Sequence, residues 1–381
     1  MDKINRTVYL ASSNIISSLG YTTADNMDQL FQEHTGIHMV RNGYIPDGQI
    51  PLSLVNDVVL EELSASFLIP DTYTRLEKMI LVSVTDALKE SDLNISGSRC
   101  VFVVSTTKGN VDLLPDMTDN SQTMLWCLGE RIRSYFGNPN HAVVISNACI
   151  SGVLAIEAAA RMLRTGLYDH AVVTGGDVAS PFVISGFNSF RALSDQACKP
   201  YDKERKGLTL GEGCATMILS TYSGEDRAVC ICGGSMSTDA VHISAPDRTG
   251  AGLASAIENT LYRLGINHSD IDAVCAHGTA TVYNDDMEAH AFDRTRLSGK
   301  PVYSLKGYWG HTLGAAGIME CIAAACSLKK QTLFRTLGFD TPGTVLPLNV
   351  TQITQKANLR YVLKTASGFG GCNAALVMKS G

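Results

Sequence analysis

Val143-Val144-Ile145-Ser146-Asn147-Ala148-Cys149-Ile150-Ser151-Gly152 carries a β-branched strand through a sharp turn into an Ala-rich helix, with a cysteine at the junction. β-Branched residues suit a pleated, packed surface, whereas the alanines and leucines that continue to Arg164 suit a helix starting at or just after the cysteine. Unpaired N–H groups and the positive end of the helix dipole favour a sulfur anion there, so the sequence predicts a thiol that ionises near neutral pH. The plainer reading is a small buried hydrophobe, the expected role of most of the eleven cysteines.

Further along, two histidines sit at the ends of short strands among small residues. The first lies in Val274-Cys275-Ala276-His277-Gly278-Thr279-Ala280-Thr281, followed by Asn284, Asp285 and Glu288. The second lies in Ser304-Leu305-Lys306-Gly307-Tyr308-Trp309-Gly310-His311-Thr312-Leu313-Gly314 and opens an Ala-rich helix that contains Glu320. Flanking glycines permit tight turns and close approach of a ligand. A fourth signal is the glycine-rich turn Ser367-Gly368-Phe369-Gly370-Gly371-Cys372-Asn373. Taken singly, each histidine could be a turn residue capping a carbonyl, and Thr279 and Thr281 could be ordinary loop hydroxyls.

Around these stretches, β-rich apolar segments alternate with Ala/Leu-rich ones, the pattern of a mostly parallel sheet covered by helices. Strands are expected at 101–105, 142–145, 171–174, 215–219, 229–232, 273–276 and 361–364, and helices at 76–89, 150–164, 253–264 and 316–328. The 150–164 helix is apolar nearly all round, as suits one buried between two sheets. A chain of 381 residues, 45% hydrophobic, exceeds what one core usually serves, so two halves are expected. The polar stretch Tyr222-Ser223-Gly224-Glu225-Asp226-Arg227 divides them into 1–225 and 226–381, although no repeat is visible in sequence. No apolar run reaches membrane length, and the start reads as a first strand and not a signal segment. An odd cysteine count without C-x-x-C spacing argues against a disulfide framework and zinc, and fits a reducing cytoplasm. A net charge of −6 with scattered basic residues gives no sign of nucleic-acid binding.

The four stretches, in this order, resemble the β-ketoacyl-acyl carrier protein synthases of the decarboxylating Cys-His-His type, members of the thiolase superfamily. Gly186-Phe187, Arg191-Ala192-Leu193-Ser194, Pro200-Tyr201-Asp202-Lys203-Glu204-Arg205-Lys206-Gly207, Gly211-Glu212-Gly213 and Asp239-Ala240-Val241-His242 reinforce the likeness from about Cys149 to the C-terminus. It implies an α/β, thiolase-like fold: two similar βαβαβαββ halves packed as a five-layer α-β-α-β-α sandwich, the first carrying the nucleophile and the second both histidines. It also implies a decarboxylative Claisen condensation of an acyl thioester with a malonyl thioester, in fatty acid, polyene or polyketide-like lipid synthesis.

Cysteine suits such a reaction because it exchanges with thioesters at little energetic cost, and donors aimed at an enolate oxygen lower its barrier by a few kcal/mol each. In the resemblance, Cys149 holds the acyl group and His277 and His311 are those donors. Lys306 pairs with Glu320, and the backbone N–H groups of Cys149 and Phe369 form the oxyanion hole. Phe369 gates the acyl pocket, and Thr279 and Thr281 bind the phosphopantetheine arm. No bound cofactor or metal is implied, the phosphopantetheine arriving on an acyl carrier protein. Arg75, Lys78, Arg131, Arg133 and Lys206 are candidates to steer that acidic partner. A homodimer, or a heterodimer with a related ketosynthase subunit, is implied as well.

Asp202, Lys203 and Arg205 are expected to fix a loop, and Asp285 with Glu288 to be structural. Departures from the family pattern are the compact stretch after Thr106-Thr107-Lys108-Gly109, Gly307 in place of serine, Val282 in place of proline, and Tyr308-Trp309, two aromatics placed to reshape the pocket. These point to a specialised synthase. Two further readings stay open: a non-catalytic chain-length-factor-type partner, against which the retained triad speaks, and a coenzyme A-dependent thiolase using Cys372 as a second cysteine.

Overall fold

The structure, a computed structural model, describes residues 6–41, 48–91, 93–116, 121–223, 228–239, 241–242 and 245–381. Its main sheet is built from two sets of five strands. The first set is β1 (Tyr9–Ile16), β2 (Cys100–Ser105), β3 (Val143–Ile145), β4 (His170–Asp177) and β5 (Gly213–Ser220). They stand in the order β3-β2-β4-β5-β1, with β3, β2 and β4 parallel and β5 antiparallel to both β4 and β1. The second set is β6 (Cys230–Thr238), β7 (Ala273–Cys275), β8 (Val302–Tyr303), β9 (Tyr361–Gly368) and β10 (Cys372–Lys379). Its order is β8-β7-β9-β10-β6, with the same parallel trio and the same antiparallel pair. Counted within its own set, each sheet reads 3-2-4-5-1, so the duplication absent from the sequence is present in the topology. The sets join where Tyr9 pairs with Cys230, and Leu10 N donates to Val229 O at 2.9 Å.

The strands expected from sequence all form, most of them longer than expected. So do the four helices: α1 (Arg75–Leu88), α3 (Ser151–Arg164), α5 (Ala251–Leu264) and α7 (Ala316–Lys330). Helices α2 (Leu125–Tyr135), α4 (Pro181–Ser189) and α6 (Val282–Arg294) complete the set that matters here. A reciprocal capping box between Thr74 and Glu77 starts α1. The expected boundary between residues 225 and 226 lies outside the described residues.

Three apolar cores define the layers. Residues of α1 and α2 pack on the outer face of the first sheet, those of α3 and α7 fill the space between the sheets, and those of α5 and α6 cover the outer face of the second. Strand β2 shows why its sequence is continuously apolar: Val101 and Val103 enter the central core while Phe102 and Val104 enter the outer one. Between the sheets, α3 and α7 meet backbone to backbone. A Cβ on Gly152 would lie 2.9 Å from Gly314 O, and one on Gly317 would lie 2.5 Å from Val153 N. This contact carries the start of one helix, with Cys149, against the start of the other, with His311. Among the described residues no helix is long and apolar enough to cross a membrane.

Candidate active site

Cys149 is placed by a strained turn. Ala148 has φ of 45°, a conformation unfavourable for a residue with a Cβ. Ser151 closes the turn, its hydroxyl accepting from Asn147 N at 2.8 Å and donating to Ala148 O at 2.6 Å. The glycine-rich turn comes up against it: a Cβ on Gly368 would lie 3.0 Å from Cys149 N and 3.2 Å from Ala148 Cβ. The sulfur thus sits at the mouth of α3 as expected, but the residue is only 8% exposed. Burial pushes the thiol up to about 12, with the neighbouring Cys372 thiol adding to the rise and Lys306 opposing it. That rise from 9.0 corresponds to roughly 4 kcal/mol against the anion. A helix terminus offers at most about 2 kcal/mol in return. The expected free thiolate at neutral pH is therefore corrected: the resting residue is a thiol that must hand its proton to a neighbour.

That neighbour is available. His277 follows β7, and its backbone is fixed by Glu288, which accepts from His277 N at 2.9 Å and Gly278 N at 2.8 Å. Tyr201 Oη at 2.9 Å and Asn284 Nδ2 at 3.1 Å also donate to Glu288. His311 N donates to Thr209 O at 2.7 Å. Gly310 before it has φ 66° and ψ −167°, a region open essentially to glycine alone. The two rings stand edge to face, centroids 5.2 Å apart. Cys149 Sγ and one nitrogen from each ring lie within 4.8 Å of one another. Burial, Lys306 and Lys364 push both imidazoles well below their usual range, and His311 adds to the effect on His277. Both rings are thus neutral bases at pH 7. Nδ1 of each, and Nε2 of His311, are buried without a hydrogen-bond partner in the protein. Such groups are rare in a folded interior, and here they surround the sulfur.

The expected Lys306–Glu320 pair is present and fully buried. Glu320 also pairs with Lys364 at 2.7 Å, a residue the sequence reading did not single out. Its one visible signal is a lysine inside the apolar strand Tyr361-Val362-Leu363-Lys364-Thr365-Ala366. Asp177, at the end of β4, was equally unforeseen. It accepts from Thr106 Oγ1 (2.8 Å), from Thr107 N and Lys108 N, and from Gly314 N (2.7 Å), tying the loop after β2 to the segment after His311. Asp285 and Glu288 are structural, as expected: Asp285 accepts from Tyr201 N at 2.8 Å. Arg205 bridges to Asp286 at 2.7 Å, and Asp202 accepts from Asp340 N and Thr341 N.

A cavity of about 260 Å³ opens over the triad, walled by Phe187, Phe190, Leu208, Val282 and Phe369 with Thr279 and Thr281 along one side. The two threonine hydroxyls lie 3.0 Å apart. Phe369 stacks on Phe187 at 5.5 Å and meets Phe190 edge-on at 5.4 Å. Tyr308 and Trp309 do not line this cavity; both are fully buried in the central core, because their short helix turns its aromatics inward, and Tyr308 Oη donates to Arg335 O at 3.1 Å. Of the basic candidates, Arg75, Lys78, Arg131 and Arg133 are each paired with carboxylates of their own region. Lys206 also pairs with a carboxylate, Asp195 at 3.2 Å, but it lines the cavity together with Arg191. Cys149, His277 and His311 offer a donor set of the kind zinc accepts. The two ammonium groups of Lys306 and Lys364 against the single carboxylate of Glu320 oppose a dication at that place.

A buried thiol thus faces two imidazoles under an apolar cavity on a duplicated α/β scaffold. Comparison with known proteins gives the family. Residues 71–224 match the N-terminal domain of β-ketoacyl synthases and residues 228–340 their C-terminal domain; the chain belongs to the β-ketoacyl synthase family. It is 33% identical over 270 residues to 3-oxoacyl-(acyl-carrier-protein) synthase 2 of Rhizobium meliloti, covering 65% of this chain and 62% of the relative. It is 34% identical over 266 residues to the mitochondrial 3-oxoacyl-(acyl-carrier-protein) synthase of Arabidopsis thaliana, covering 64% and 57%. These matches span about three-fifths of the curated relatives' length. A chain of the ketosynthase–chain length factor complex from Xenorhabdus doucetiae superposes with a TM-score of 0.86 at 25% identity, covering 99% of this chain and 98% of that one.

Proposed function

We propose that this chain is a β-ketoacyl-acyl carrier protein synthase that uses Cys149, His277 and His311 to condense an apolar acyl thioester with a malonyl thioester. The observation that carries the reading is the convergence of one thiol and two unpartnered, neutral imidazoles at the floor of an apolar cavity. In the first half-reaction the Cys149 thiol attacks the acyl thioester as its proton passes to an imidazole, and the carrier thiol leaves with a proton. N–H groups of Cys149 and Phe369 are proposed to receive the carbonyl oxygen, a placement supported by the close approach of Gly368 to Cys149 N. In the second, the malonyl carboxylate leaves as CO₂ and its electron pair forms an enolate, whose oxygen accepts hydrogen bonds from His277 and His311. The enolate carbon attacks the acyl carbonyl, and the Cys149 sulfur departs as a thiolate and takes up one proton from water, the proton that decarboxylative condensation consumes. Lys306 and Glu320 hold the charge and geometry behind the histidines. Thr279 and Thr281 are placed to bind a phosphopantetheine arm delivered by an acyl carrier protein, with Lys206 and Arg191 at the mouth to meet its acidic surface.

The halves are proposed to divide at 225/226, the first holding the nucleophile. A second copy or a related subunit is proposed to cover the edge strand β3, whose three residues are only half-buried. The test is intact-protein mass after mixing with carriers loaded with short, medium or unsaturated acyl groups and then with malonyl carrier. An adduct that disappears as an elongated β-ketoacyl product forms, and that is abolished in Cys149→Ala, is the expected result. A folded protein that takes no acyl group from any donor would instead favour a chain-length-factor-type role.

A further inference from the structure

Lys364 is a fully buried lysine to which the condensation chemistry assigns no part. It lies on β9 directly beside Cys275 of the parallel strand β7, and faces the central layer. Its ammonium donates to Cys275 O (3.3 Å), Ala276 O (3.2 Å) and Thr365 O (2.6 Å) and pairs with Glu320 at 2.7 Å. Three carbonyls and a carboxylate around one nitrogen form a cage for a cation, and here the chain supplies the cation itself. Two of those carbonyls belong to the residues immediately before His277. The shared carboxylate is the partner of Lys306, five residues before His311.

We propose that Lys364 is a positioning residue of the condensing site: its ammonium locks the carbonyl end of the strand that delivers His277 and, through Glu320, fixes Lys306 behind His311. A buried ammonium without such partners would be strongly unfavourable, so the cage and the lysine require each other. The arrangement also has a charge consequence. The groups facing Lys364 are Glu320 and Cys321 from α7, Cys275 from β7, Glu288 from α6, and across the site Lys306, His277 and His311. Glu320 is shared between two lysines, and both of those lysines oppose positive charge on the imidazoles. Removing Lys364 makes an imidazolium less unfavourable, so both histidines become more basic.

Because its kinetic readout rests on the condensation reading, the test has one arm that needs no substrate. Lys364→Met removes the donor and the charge. Lys364→Gln keeps N–H donors for the carbonyls but no charge, and carries the test if the Met variant does not fold. Expected in both is Cys149 acylation within about threefold of wild type, condensation reduced by about thirtyfold or more, and an acid limb of the condensation rate moved to higher pH. Histidine resonances from 15N-labelled protein, assigned with His277→Gln and His311→Gln, should show both rings neutral at pH 6 in the wild type and titrating at higher pH in Lys364→Gln. Equal losses in both half-reactions with unmoved histidine titrations would reduce Lys364 to a structural lysine and overturn the proposal. A wild-type protein that gives no condensation, yet shows the shifted titrations, would count against the proposed function and not against Lys364.

Discussion

In the first half of the molecule the third strand, β3, leads through Asn147-Ala148-Cys149 into α3; in the second half the third strand, β8, leads through Lys306–Trp309 to His311 and feeds α7. The nucleophile and one histidine therefore occupy the same station of a duplicated topology. The second strands also correspond. β2 is followed by Thr106-Thr107-Lys108, whose backbone is gathered by the buried carboxylate of Asp177, whereas β7 is followed by Ala276-His277-Gly278, gathered by that of Glu288. One scaffold has thus been given a thiol and a loop held by Asp177 on one side and two imidazoles on the other. The site arises because Gly152 and Gly317 let the two third-strand helices touch. The sheet edges differ as well. β8 is fully buried, with Val302 N donating to Asn349 O at 2.9 Å, while β3 is half-exposed.

If the two stations carry distinct chemistry, removing the second half's contribution should spare the first half-reaction. His277→Ala and His311→Ala are each expected to lower malonyl decarboxylation by about 10²–10³-fold, the usual loss for one preorganised donor to a developing oxyanion. Acyl adducts on Cys149 should still form, more slowly. Release of ¹⁴CO₂ from labelled malonyl carrier checks this, and an unchanged rate in either variant would remove that histidine from the mechanism.

The ionisation of Cys149 sharpens the same contrast. A thiol pushed up to about 12 is protonated throughout pH 6–9, and the thiolate is the reactive form, so alkylation by iodoacetamide should climb about tenfold per pH unit across that window. An ordinary cysteine would level off above its own value near 8.5. A plateau below pH 8 would mean that the helix terminus and the imidazoles outweigh burial. Cys372, itself pushed up to about 11, is uncharged in this window, so Cys372→Ser should leave alkylation little changed and condensation within about twofold; a collapse of turnover in a folded variant would favour thiolase chemistry.

A further effect, on stability, concerns the contact that joins the stations. Gly317→Ala places a methyl group 2.5 Å from Val153 N, and overpacking of this kind costs about 1–3 kcal/mol. Thermal unfolding should show a lower Tm, with condensation reduced because His311 moves relative to Cys149. An unchanged Tm would mean that the helix contact is not what sets the distance between the halves.

Much of this was legible in the chain. The apolar run at 101–105, the β-branched run at 143–145 and the Ala-rich helices 151–164 and 316–330 declare their elements by periodicity and composition, because local packing against a sheet selects those residue types. The triad could be named because its glycine-flanked stretches, in their order along the chain, resemble those of the β-ketoacyl synthases. What escaped were residues whose partners are remote in sequence. Lys364 and Asp177 look like isolated charges in apolar strands until the fold brings Cys275, Glu320, Thr107 and Gly314 to them. Tyr308 and Trp309 were expected at the pocket because they adjoin His311, but the turn at Gly310 separates their direction from its own.

By itself the sequence determined the strand and helix pattern, the Cys149, His277 and His311 set, the Lys306–Glu320 pair and the family. Local propensity and short motifs encode these within a dozen residues or so of chain. Only the tertiary structure decided the duplicated 3-2-4-5-1 sheets, the protonated state of the thiol, the neutrality of both imidazoles and the cation cage around Lys364. The last three depend on burial and on charges brought together from separate elements, where desolvation and Coulomb interactions, not propensity, set the outcome.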